Sequence, residues 1–164
     1  MSIVVVQTNY QGVSGSNWGG DGSQEDLSDI GTDWPNRGAN GSYDGLDDGD
    51  GIMWRSDYLK PRAMRHVKDG ASKTFLAGEA LPEKNRYVSW PYANNAYATC
   101  AIPPNVIPIP GRDYSPNWWP NVAGFRSHHP GGLHFAYIDA SVRWIEDEID
   151  LAVYRAQATI AGSD

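Results

Sequence analysis

One cysteine, Cys100, stands in 164 residues, so no disulfide can form within the chain. No base lies near it in sequence, and it reads as a small buried hydrophobe rather than a nucleophile. Long apolar runs are missing as well: nothing approaches the roughly 20 residues that span a bilayer. Ile3-Val4-Val5-Val6 is short and lacks the basic flank of a secretory signal. Basic charge is scarce, with 13 Lys and Arg against 20 Asp and Glu and a net charge of −7. That balance argues against nucleic acid, whose phosphates attract a basic surface, and it permits cation binding. No Gly-x-Ser-x-Gly elbow follows a strand. Ser127 beside His128, and Gly12-Val13-Ser14-Gly15, do not supply one, so serine hydrolysis is not indicated.

What the chain has in quantity is glycine, proline and large aromatics: 18 Gly, 11 Pro, seven Trp and nine Tyr. The first two imply a turn-rich fold with long loops. Aromatics bury much area per residue, so they can build a core that few aliphatic helices supply, or form an exposed binding face. Short β-branched or alternating runs predict strands at Ile3–Asn9, Ile52–Arg55 and Thr74–Ala77, with Glu79 just past the end of the last. Leu133–Ile138 and Val142–Ile145, separated by Asp139-Ala140-Ser141, read as a hairpin. Residues 147–161 read as a helix, capped by Asp147 or Asp150, with Ile149, Val153, Ala156 and Ile160 on one face and Gly162 at its end. The expectation is one α+β domain over 1–164, mostly antiparallel β, with Gly/Pro-rich loops and one C-terminal helix.

Several constellations are candidates for chemistry. Asp44, Asp47, Asp48 and Asp50, spaced by Gly45 and Gly49, repel one another unless solvent or a cation intervenes. Ca²⁺ takes six to eight oxygens, and carboxylates on a flexible loop suit it. The spacing is not that of an EF-hand, and a plain solvated acidic turn is the competing reading. His128, His129 and His134 lie close together, with Asp139 behind them, and are the candidates for catalytic or metal-ligating groups. Gly131-Gly132 permits His128 or His129 to fold back toward His134. Asp139 is expected on the opposite strand face from His134, so a three-ligand site from this hairpin alone is strained. The plainer reading makes His129 an anchor for the loop entering the hairpin and gives Asp139 a bond to the turn amides. Asp69 and Ser72 are expected to close a turn. Trp90, Tyr92, Trp118 and Trp119 are candidates for stacking on a ligand, or for a lid over one end of the core.

The spacing His129, nine residues, Asp139 resembles the C-terminal H-X9-DG motif of the planctomycete-rich DUF1559 family of prepilin-like proteins, with Ala140 in place of the motif's glycine. Ala140 makes a left-handed turn costlier by about 1 kcal/mol, so a different turn type is expected. Gly51-Ile52-Met53-Trp54-Arg55, the run Val67 to Glu79 ending in Gly78-Glu79, and Thr8-Asn9-Tyr10 through Gly15 are similar to three further blocks of that family, in order. The resemblance implies a pilin- or pseudopilin-like sheet domain in an extracytoplasmic setting, as in type II secretion. It also implies a chain lacking the family's N-terminal hydrophobic helix. The sheet face that such a helix would cover is then exposed or covered otherwise, and self-association follows from an exposed apolar face.

The preferred expectation is a non-enzymatic domain, stabilised by calcium at Asp44–Asp50, that assembles with pilin-like subunits or binds an envelope partner. No nucleic acid is expected as a partner, and no membrane contact from this part of the chain. One alternative is a small Ca²⁺-dependent hydrolase of an ester or lactone, with a histidine as base. A second is a carbohydrate-binding module that stacks a polysaccharide on Trp or Tyr.

Overall fold

Alternation of apolar and small or polar residues over Gly132–Tyr137 makes β4, and Val142–Glu146 makes β5. Their antiparallel register sets Leu133 against Ile145 on one face and His134 against Trp144 on the other. The computed structural model describes residues 6–16, 49–54, 57–84, 88–89, 96–106 and 123–162. The remaining strands are β1 (Tyr10–Val13), β2 (Phe75–Glu79) and β3 (Tyr97–Ala98). They join one mixed sheet in the order β3-β1-β2-β4-β5. β1 pairs parallel to β3 and antiparallel to β2, and the β2–β4 pair is antiparallel. Among the described residues one short α-helix, α1 (Leu151–Ala156), joins the sheet in an α+β fold.

The core lies on one face of this sheet and is aromatic. Phe75 stacks on Phe135 with ring centroids 4.1 Å apart, and Phe125 meets Phe135 edge-on at 4.9 Å. Tyr154 of α1 closes over both Phe75 and Phe135 at 5.8 Å. Such pairs add about 0.5–1.5 kcal/mol each beyond the area they bury. Cys100, Val13 and Leu133 are buried in the same cluster.

Three elements differ from the sequence expectation. Of the expected strand Ile3–Asn9, residues 3–5 lie outside the described residues and 6–9 are not strand, because the ladder needs β2: Ala80 N–H still reaches the Asn9 carbonyl at 2.7 Å, but Pro82 beyond it has no amide to donate. Ile52–Trp54 is not a strand either, although it runs beside the end of β1 beyond the residues that pair with β2, and Arg55 lies outside the described residues. It follows β1 through two bonds only, Gly51 N–H to the Ser14 carbonyl and Met53 N–H to the Val13 carbonyl. The helix is shorter than 147–161 because both its ends are claimed. The Asp150 carboxylate caps the Ala152 and Val153 amides at 2.7 and 3.2 Å, while Asp147 is bonded to Asn105. After Ala156, the Gln157 carbonyl turns to the Phe75 amide at 2.7 Å. Tyr154 is therefore the buried helical side chain, and Val153 is exposed.

The hairpin turn keeps the left-handed geometry despite its alanine: Ala140 has φ 67°. Asp139 holds it there, its Oδ1 accepting the Ser141 amide at 2.9 Å and hydroxyl at 2.6 Å. A different turn type is thus not used. Instead Ala140 carries a backbone cost of about 1 kcal/mol that glycine would not.

Candidate functional site

Directly paired strand residues project to the same side of a sheet. Tyr10 pairs with Glu79, Gly78 pairs with Phe135 so that Glu79 comes level with His134, and His134 pairs with Trp144. Tyr10, Glu79, His134 and Trp144 therefore form a row across four strands, on the face opposite the aromatic core. Tyr10 and Trp144 are exposed, as is Val142 nearby.

The loop before β4 folds back onto this row. Gly131, at φ 85°, makes the reversal in a region that an L-residue rarely adopts. A knot of hydrogen bonds fixes it: Asn105 Nδ2 donates to the Gly132 carbonyl at 3.2 Å and to Asp147 at 2.6 Å. Asn105 Oδ1 accepts the Ser127 amide at 2.7 Å. The Ser127 hydroxyl donates to the Gly132 carbonyl at 3.0 Å, and its oxygen accepts the His129 amide at 3.0 Å.

His129 thereby comes over the sheet, with its ring 5.3 Å from that of His134 and nearly perpendicular to it. Glu79 gathers both. Its Oε1 lies 3.3 Å from His129 Nε2, and its Oε2 lies 3.5 Å from His134 Nδ1 while accepting the His134 amide at 2.7 Å. Trp144 packs edge-on against both imidazoles, at 5.0 Å from His134 and 6.0 Å from His129. One possible ligand atom from each of Glu79, His129 and His134 lies within 4.8 Å of the others, the single such group of three among the described residues. The Glu79 side chain is 13% exposed, the histidines 52% and 41%. Glu79 and His129 also line a cleft of about 510 Å³ with Thr8, Asn9, Arg126 and His128.

Of the histidines singled out from sequence, His129 and His134 come together. His128 turns away to pair with Glu83, whose carboxyl is held below its ordinary range by its own backbone amide and then by His128. Asp139 stays in the turn beyond β4, where the Ser141 hydroxyl and amide lower its carboxyl. Asp44, Asp47 and Asp48, and Trp90, Tyr92, Trp118 and Trp119, lie outside the described residues. Asp50 is described: its carboxylate accepts the Ser16 amide at 2.6 Å and hydroxyl at 2.7 Å. Asp69 reaches across to the Thr159 hydroxyl at 3.1 Å and the Gly162 amide at 2.8 Å. The turn that follows Asp69 is closed by Lys73 N–H and the Thr74 hydroxyl on the Gly70 carbonyl, with Ser72 exposed.

Sequence reasoning missed Glu79 and Trp144 as members of the cluster. The signal for Glu79 was its position as the one carboxylate at the end of an otherwise uncharged strand, Phe75-Leu76-Ala77-Gly78. For Trp144 it was the alternation with buried Ile145.

No curated protein and no solved structure matches the chain. A family model described as a protein of unknown function, DUF1559, matches residues 7–152, and the chain belongs to that family.

Proposed function

We propose that the domain is a non-enzymatic, pilin-like assembly module of the cell envelope whose working surface is the outer face of its sheet. The observation that carries this reading is the row Tyr10–Glu79–His134–Trp144, which with Val142 leaves apolar and aromatic side chains uncovered beside a hydrogen-bonded polar centre. Exposed apolar patches mark contact surfaces, and aromatic side chains such as Tyr10 and Trp144 are enriched in interfaces. The resemblance of its sequence blocks to prepilin-like proteins supports the same reading. A second copy, or another pilin-like subunit, is the partner. Calcium at Asp44–Asp50 belongs to this proposal as a stabiliser of the loop.

Sedimentation velocity across a concentration series tests it. Concentration-dependent association is expected, and a V142D/W144S double variant should remain monomeric. A wild-type chain that stays monomeric throughout would remove the self-assembly reading.

A second reading, a metal-dependent hydrolase of a small ester or lactone, is favoured by the cleft that Glu79 and His129 share. Hydrolysis at background level with and without added Ca²⁺ or Zn²⁺ would exclude it.

A further inference from the structure

We propose that Glu79, His129 and His134 bind a divalent transition metal of the Zn²⁺ class. Two imidazole nitrogens and one carboxylate oxygen suit Zn²⁺, Co²⁺ or Ni²⁺, whereas Ca²⁺ requires six or more oxygens that this cluster does not offer.

The spacing agrees. Ligands about 2.0–2.1 Å from a tetrahedral Zn²⁺ stand about 3.3 Å from one another. Glu79 Oε1 is 3.3 Å from His129 Nε2 and Glu79 Oε2 is 3.5 Å from His134 Nδ1, so each carboxylate oxygen stands near that spacing from one imidazole. One donor from each of the three residues lies within 4.8 Å of the others, so side-chain movement of up to about 1.5 Å brings the widest pair to that spacing.

The surroundings are those of an ordered site. Glu79 is oriented by the His134 amide, His129 by Ser127 and the Gly131 reversal, and both rings by Trp144. Supports of this kind orient first ligands and raise affinity. Three protein ligands leave a fourth position for water or an exogenous carboxylate. That makes the site an open one, unlike the closed four-ligand sites that serve structure alone.

The inference needs neither assembly nor turnover, and each can fail without it. Its test is calorimetric titration of the intact chain with Zn²⁺, together with the visible spectrum of the Co²⁺ form. One ion per chain is expected, with the intense absorption of four-coordinate Co²⁺. H129A, H134A and E79Q should each weaken binding by more than about tenfold, and H128A should leave it unchanged. Because His129 is half exposed, H129A keeps the result readable if Glu79 variants fold poorly. No binding at high micromolar Zn²⁺ would overturn the proposal, as would binding that survives H129A/H134A or that disappears with H128A.

Discussion

Glu79 faces His134 because β2 carries a bulge between Phe75 and Ala77, where the register against β4 slips from Tyr137 to Ala136. In a regular strand, residues four apart share a face, and Glu79 would point with Phe75 into the core. The bulge shifts the alternation by one, so that Phe75 and Gly78 are buried and Glu79 turns outward. At the end of this ladder the Glu79 carbonyl accepts the Arg126 amide at 2.9 Å, and the His134 amide is taken by the Glu79 carboxylate instead.

The carboxylate therefore has a structural task that an alanine cannot perform. Glu79→Ala leaves the partly buried His134 amide without its acceptor and should cost about 1–3 kcal/mol. Glu79→Gln keeps an acceptor oxygen and should cost less than about 1 kcal/mol. Urea denaturation of both variants separates the two. Equal losses would mean that the charge, not the acceptor, holds β4.

Much of the hairpin was legible because its pattern is local. The alternation in Leu133–Ile138 and the His129–Asp139 spacing are visible in a single stretch, and Asp139 needs only Ser141 two residues on. The cluster was less legible because its third member comes from a strand 55 residues away. Strand order cannot be read from alternation, and counting along a regular strand gives Glu79 the wrong face. Helix boundaries failed for a similar reason. Asp150 was visible as a cap, but the capture of Gln157 by Phe75 and of Asp147 by Asn105 are tertiary contacts with no local signature.

Ala140 holds φ 67° in the hairpin turn. Ala140→Gly removes the steric cost, and the greater freedom of glycine in the unfolded chain offsets part of the gain. A net stabilisation of about 0.5 kcal/mol is expected, or a rise of about 1–2 °C in Tm for a chain of this size. A thermal melt that is unchanged or lower would show that the turn relaxes around alanine.

Asp139 titrates lower when folded than when unfolded, first because the Ser141 hydroxyl and amide bond its charged form. Its contribution is fully present above the ordinary carboxylate range and is lost as pH falls through the lowered value. Asp139→Asn should therefore be less stable than wild type near pH 6, and the gap in Tm should narrow toward about pH 3. A gap that is constant across that range would assign the effect to shape rather than charge.

Burial pushes the Cys100 thiol well above its ordinary range. The thiolate is the reactive form, and its formation in this core is strongly disfavoured. Labelling by an aromatic disulfide near pH 8 should wait for unfolding, so its rate should rise with urea in step with the loss of structure. Rapid labelling of the native chain would mean that the segment around Cys100 opens on its own.

Gly78, beside Glu79, is where the core leaves no room. A Cβ there would stand 2.5 Å from Phe135 Cε1 and 2.6 Å from Phe125 Cδ1, both rings being fully buried. Neither ring can withdraw freely, since Phe135 is stacked on Phe75 and held by Tyr154. Overpacking of this kind costs about 1–3 kcal/mol. The strain bears on the site as well, because Gly78 fixes the level at which Glu79 meets His134. Gly78→Ala should lower stability by that amount, and a displaced strand should reduce Zn²⁺ affinity together with it. Measuring both on one preparation distinguishes the outcomes: a stability loss with unchanged affinity would mean that the Glu79–His134 pairing is held by the β4 amide alone, independent of the packing behind it.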